Sequence, residues 1–138
     1  MANKKVMIVD DDKEFLEELD EALRLSDFDS IVINNPNLAL KKAVLEKPDA
    51  ILLDLRMPGK SGFLLADEIK NSSQLTGTPI IAMSGYFKKD ASDFFSVYGI
   101  VDYISKPFDP LEVVSKIEKV LEKTMGAKTK KLLDEHKK

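Results

Sequence analysis

Five short, mostly apolar runs recur along the chain, each separated from the next by a stretch with helical periodicity, and this alternation constrains the fold more than any other feature. A parallel strand must be followed by a crossover long enough to return to the same edge of the sheet, so strands alternating with amphipathic helices predict an α/β fold around a parallel sheet. Strands are expected over residues 5–9, 30–33, 50–53, 79–83 and 101–105. Helices are expected over 13–26, 37–46, 62–71, roughly 89–98, and 110 to about 124. The first helix shows the pattern best, with Phe15, Leu16, Leu19, Ala22 and Leu23 on one face and Glu14, Glu17, Glu18 and Glu21 on the other. In the last, Leu111, Val114, Ile117, Val120 and Leu121 form the expected inner stripe, with Asp109 as N-cap and Pro110 in the first helical position.

At 138 residues with 43% hydrophobic content, the chain can fill one core, and a single domain is expected over residues 1–124. Residues 125–138 are expected to be a basic C-terminal tail, either frayed or a short extra helix. Six lysines against two acids give residues 123–138 a formal charge of +4, which leaves −7 for residues 1–122 out of the total of −3. An acidic body argues against direct binding to nucleic acid. There is no cysteine and only one histidine, His136, so disulfides, thiolate metal sites and histidine-rich zinc sites are excluded. No apolar run approaches the roughly 18 residues of a membrane span, and a cytoplasmic location without membrane association is the expectation.

Charged residues at the strand ends carry the chemistry. Asp10-Asp11-Asp12 follows the first run, Asp54 ends the third, Ser84 follows the fourth and Lys106 follows the fifth. In a doubly wound sheet the residues just past the C-terminal strand ends converge on one crevice, where ligands bind. Carboxylates gathered there repel one another unless a cation lies between them. Oxygen-only ligands suit a hard cation, with Mg2+ the expected one, and the set reads as a magnesium and phosphoryl site.

Each residue also has a plainer reading. Asp12 can simply cap the first helix, and Asp11 with Glu14 has the spacing of a capping box. Asp54 can be a turn residue before Met57-Pro58-Gly59, Ser84 a loop serine, and Lys106 a solvated surface lysine. A cap needs one side chain rather than three, and the coincidence of all these residues at strand ends favours a site.

The motifs Ile8-Val9-Asp10-Asp11, Asp54-x-x-Met57-Pro58 with Gly62, Ser84-Gly85 and Tyr103-x-x-Lys106-Pro107-Phe108 occur in order, each at an expected strand end. With them the chain resembles the receiver domain of bacterial two-component response regulators over about residues 4–123. The resemblance implies a flavodoxin-like sheet of five strands in the order 2-1-3-4-5 with five helices. It also implies that Asp54 accepts a phosphoryl group from a phosphohistidine of a sensor histidine kinase or phosphotransfer protein. Asp11, Asp54 and the backbone carbonyl of Arg56 would bind Mg2+ directly and Asp10 mainly through water, while Lys106 would contact a phosphoryl oxygen. Ser84 and Tyr103 would be the switch residues, reshaping the surface of the fourth helix, fifth strand and fifth helix for a downstream protein target. Pro107 would follow a cis peptide bond. Arg56 and Tyr86, two past the nucleophile and two past the switch serine, are expected to restrict the attacking water and prolong the signal. Tyr86, Phe87, Phe94, Phe95 and Tyr103 would contribute to a partner face, with one of Phe94 and Phe95 in the core instead.

On this reading the protein is a phosphoacceptor switch rather than an enzyme, and a monomer or a phosphorylation-dependent dimer. It is expected to be a stand-alone receiver of the chemotaxis-regulator kind or a fragment of a larger regulator or hybrid kinase, because the remaining chain is too short for an output module. The rival is a phosphatase of the haloacid-dehalogenase type, whose first motif Asp10-x-Asp12 imitates, although such enzymes carry the nucleophile on the first strand. A nucleotide or flavin binder fits less well, since three aspartates after the first strand would repel a phosphate. An adaptor that is never phosphorylated would not need so complete a site.

Overall fold

The protein is described by a computed structural model covering residues 3–85 and 92–136. Its elements run β1 (Lys5–Val9), α1 (Lys13–Leu25), β2 (Asp29–Ile33), α2 (Ala39–Glu46), β3 (Ala50–Asp54), α3 (Gly62–Lys70), β4 (Ile80–Ser84), α4 (Ser92–Val97), β5 (Ile100–Ser105) and α5 (Pro110–His136). All strand pairs are parallel, in the order β2-β1-β3-β4-β5. This is the doubly wound flavodoxin-like architecture that the alternation and the resemblance imply.

The period-2 geometry of a strand divides the core into two layers. Val6 and Ile8 of β1 point to a cluster with Leu16, Leu19 and Leu23 of α1 and Val113, Ile117 and Val120 of α5. Met7 and Val9 point the other way, to Ala39 and Ala43 of α2, Leu65, Ala66 and Ile69 of α3 and Phe95 of α4. β3 lies at the centre and is buried along its whole length, whereas β2 is an edge strand and stays half-covered. A carboxylate at the end of β3 is therefore flanked by the ends of β1 and β4.

Several boundaries differ from the expectation. A 3-10 turn at Pro36–Leu38 precedes α2, so the α-helix proper begins at Ala39. β3 and β4 each extend one residue further, which places Asp54 and Ser84 inside their strands. In α5 the inner stripe begins at Val113, and Leu111 is exposed. Asp109 caps this helix by accepting from the backbone N–H of Leu111 (2.8 Å). The helix also continues to His136, through residues expected to form a frayed tail or a separate short helix. Gly126 costs about 1 kcal/mol in a helix interior, but the good helix formers that follow it, Ala127, Lys128, Lys130, Lys131, Leu132 and Leu133, offset this. Among the described residues no helix is long and apolar enough to cross a membrane.

Candidate functional site

Asp10, the first residue after β1, is wholly buried. One of its carboxylate oxygens accepts from the backbone N–H of Asp12 (3.0 Å), and the other takes the ammonium of Lys106 at 2.7 Å. Asp12 is the N-cap of α1, where it accepts from the backbone N–H of Phe15 (3.2 Å). Of the two roles open to it from sequence, capping is the one its hydrogen bond serves. Asp11 is exposed and faces the same edge: oxygens of Asp10, Asp11 and Asp54 all lie within 4.8 Å of one another.

Asp54 is 5% exposed at the end of the central strand. One of its oxygens accepts from the backbone N–H of Arg56 (3.0 Å), and the other lies 3.6 Å from the Lys106 ammonium. Burial pushes its pKa up from 3.8 to about 6, the neighbouring charges of Asp10 and Asp11 add to this, and the Arg56 N–H and Lys106 oppose it. When all four side chains are ionised, three carboxylates and one ammonium leave the crevice at −2. Oxygen donors at that charge, with one of them exposed enough to leave water in place, fit a magnesium ion.

The β3–α3 loop owes its path to two glycines. Gly59 has φ +88°, in the left-handed region that glycine adopts freely. A Cβ on Gly62 would collide with the Asp54 carbonyl oxygen and come within 2.6 Å of Leu55 Cα. Without a side chain there, the loop folds back, its N–H donates to the Leu55 carbonyl (3.3 Å), and Ser61 caps α3. Arg56 lies in this loop with its side chain exposed.

Lys106 enters from the end of β5, where its backbone N–H donates to the Ser84 carbonyl (2.8 Å) and the bond to Pro107 is cis. Ser84 itself is buried, paired in register with Ser105, and its β4 neighbour Met83 is paired with Asp54. The strand register thus brings Asp10, Asp54, Ser84 and Lys106 to one edge. Tyr103 lies further back, half-buried, with its ring 5.7 Å from that of Phe95. Phe95 is core and also packs against Phe63 (6.4 Å). Tyr86 and Phe87 lie outside the described residues, as does the side chain of Phe94.

One contact was not legible in the sequence. The Lys106 ammonium sits 4.5 Å from the centroid of the Phe15 ring, which is itself met edge-on by Phe108 at 5.4 Å. Helical periodicity assigns Phe15 only to the inner face of α1, and no local pattern links residue 15 to residue 106.

The model of the response regulator receiver domain family matches residues 6–118. The chain belongs to that family. It is the receiver domain of a two-component response regulator, a signalling switch of the kind driven by phosphorylation. The chain is 35% identical over 124 residues to the phosphate regulon transcriptional regulatory protein PhoB of Pseudomonas aeruginosa, covering 90% of this chain and 54% of that protein. It is 32% identical to the alkaline phosphatase synthesis transcriptional regulatory protein PhoP of Bacillus subtilis, covering 88% and 50%. The receiver thus spans about half the length of these relatives. Among solved structures, a CheY-like response regulator receiver domain protein from Methanospirillum hungatei superposes with a TM-score of 0.82 at 25% identity, covering 91% of this chain and 98% of that one. Receiver domains generally bind Mg2+ at an acidic pocket, and Asp10, Asp11 and Asp54 form a group of carboxylates that could hold a metal ion.

Proposed function

We propose that this receiver accepts a phosphoryl group on Asp54 from a phosphohistidine of a sensor histidine kinase or phosphotransfer protein and transmits the change to a downstream protein. The observation that carries this is the enclosure of one central-strand carboxylate by two others, with a lysine 3.6 Å away. An Asp54 oxygen forms the new bond to phosphorus as the bond to the imidazole nitrogen breaks, and the nitrogen leaves with the electron pair. Asp11, Asp54 and the Arg56 carbonyl would hold Mg2+, and Asp10 would act mainly through water, since its two oxygens already accept from Asp12 and Lys106. The ion, when bound, neutralises charge on the phosphoryl oxygens, which is what this transfer chiefly requires.

The −2 charge of the crevice supports this assignment as negative charge held ready for a cation, and the rise in the Asp54 pKa, caused first by burial and then by the charges of Asp10 and Asp11, marks the carboxylate that a cation would relieve. Lys106 stands where it can exchange Asp10 for a phosphoryl oxygen, and the Ser84 hydroxyl can donate to another. Tyr103, packed on Phe95, is the element that would follow Ser84 inward, shifting a two-state balance by a few kcal/mol and altering the surface of α4, β5 and α5. The exposed Arg56 side chain beside the nucleophile, together with Tyr86, would hinder the attacking water. Decay of the phosphorylated protein should therefore be faster after Arg56→Ala.

The body charge of −7 supports a protein partner over nucleic acid, and a cytoplasmic setting suits exchange with a kinase. The dehalogenase-type reading is disfavoured by Asp10, its required nucleophile, which is buried and engaged at both oxygens. The test is incubation with Mg2+ and acetyl phosphate, read by intact mass. One added phosphoryl group that Asp54→Asn abolishes is expected. An unmodified parent protein, or a modification that survives Asp54→Asn, would overturn the assignment, and many turnovers of a generic phosphate ester would point to a phosphatase.

A further inference from the structure

We infer that Phe15 is a positioning residue for phosphoryl transfer: its ring is the seat that keeps the Lys106 ammonium over the Asp10–Asp54 pair. This rests on the phosphoacceptor reading of Asp54. Lysine has a flexible four-carbon stem and a strongly hydrated head, so a lysine that must meet a reacting group needs something to limit its wandering. Lys106 is 28% exposed and has open water on one side. Two of its contacts are the carboxylates themselves, at 2.7 and 3.6 Å, and these change partners or charge during the reaction. The Phe15 ring, with its centroid 4.5 Å from the ammonium, is a contact that the chemistry does not alter.

The ring is itself fixed from two directions. Phe15 stands in the first turn of α1, where its backbone N–H is held by the Asp12 cap (3.2 Å), so the start of the helix determines where the ring emerges. From the other side Phe108 packs edge-on against it at 5.4 Å and 68°. Lys106 and Phe108 come from one loop and both contact the ring, so the brace of the seat lies two residues from the lysine that it holds. The contact also links the two ends of the chain's chemistry: Asp12 donates its N–H to Asp10, Asp10 accepts from Lys106, and Lys106 lies on Phe15. An aliphatic side chain of similar size would fill the space but would lack the negative ring face that attracts the ammonium.

The test compares Phe15→Leu and Phe15→Tyr with the parent in the full chain. One readout is the rate of phosphorylation by acetyl phosphate with Mg2+, and the other is the ring-current displacement of the Lys106 Hε resonances by NMR. Phe15→Leu should slow phosphorylation about threefold to tenfold and abolish the displacement, and Phe15→Tyr should preserve both. In a Lys106→Met background, Phe15→Leu should have no further effect on the rate, because the ring then has nothing to position. Phe108→Leu, which spares the seat and removes only its brace, should give a smaller slowing. The inference is overturned by a folded Phe15→Leu protein that reacts at the parental rate, by Phe15→Tyr being as slow as Phe15→Leu, or by an undiminished effect in the Lys106→Met background. If the parent itself takes up no phosphoryl group, the Asp54 assignment fails. The NMR displacement then still decides whether the ring seats the lysine.

Discussion

The two ends of the sheet both carry carboxylates beside lysines, and they shift those carboxylates in opposite directions. At the N-terminal end, Lys5 contacts Glu46 at 3.2 Å, its backbone N–H donates to Asp49 (2.8 Å), and Lys42 reaches Glu46 at 3.4 Å. The hydrogen bonds from Lys5 and then Lys42 hold Glu46 below its ordinary value of 4.5. At the C-terminal end, three carboxylates gather beside one lysine that pairs with two of them, and burial pushes Asp54 up to about 6. The first arrangement sets lysines against acids within reach of water and ties β1 to α2 and the loop after it. The second gathers three carboxylates beside one ammonium at a partly buried edge, an arrangement that costs stability and, on the proposed reading of Asp54, makes the site receptive to a cation and a phosphoryl group.

Removing the lysine at the C-terminal end should have the largest effect. Lys106→Met leaves Asp10 wholly buried with, among the described residues, the Asp12 N–H as its one remaining partner, and should cost the metal-free protein about 2–4 kcal/mol, seen as a clear drop in Tm. Next comes Gly62→Ala, whose Cβ would displace the Asp54 backbone. It should destabilise by about 2–3 kcal/mol and slow phosphorylation as well, whereas Gly77→Ala, at a loop position with no close neighbour, should leave phosphorylation untouched.

The contrast between the ends sharpens with pH. The folded pKa of Asp54 lies above its unfolded value, so proton binding favours the fold: metal-free protein should lose stability as pH rises from about 4 to about 6, and the loss should persist above that. Asp54→Asn should therefore raise Tm at neutral pH by roughly 3 °C or more, with the gain gone near pH 4 and reduced by saturating Mg2+. Glu46 has the opposite sign, since its folded pKa lies below 4.5, and its contribution is present above that pH and lost below it. Glu46→Gln should give the smallest effect, a slight fall in Tm at neutral pH that high salt erases, with phosphorylation unchanged. Equal responses at the two ends in these pH scans would remove the distinction between them.

Much of the fold was legible because its signals are local. The apolar runs of β1 and β3, the one-sided stripe of α1 and the Asp109-Pro110 start of α5 each follow from a few neighbouring residues. The errors arose where a local rule met a competing one. Pro36 made a 3-10 turn of what periodicity extends as helix, Leu111 fell outside the stripe that Val113 begins, and α5 continued through Gly126 because the residues after it are good helix formers. In the site, Asp10, Asp11, Asp54, Ser84 and Lys106 could be named because parallel strands deliver their C-terminal ends to one edge whatever the details of packing. The capping role of Asp12 was one of two readings until its hydrogen bond to Phe15 appeared.

By itself the sequence determined which residues lie at the C-terminal ends of the strands, since the alternation of apolar runs with amphipathic helices sets a parallel sheet; the order of the strands came from the family resemblance. Tertiary structure alone decided that Lys106 rests nearer to Asp10 than to Asp54, that Phe15 lies beneath it, and that Asp54 is driven upward in pKa while Glu46 is driven downward. Those outcomes depend on distances of a few ångströms between residues as many as 96 positions apart and on how much water is excluded around them. Coulomb and desolvation energies vary steeply over that range, and no pattern of neighbouring residues encodes them.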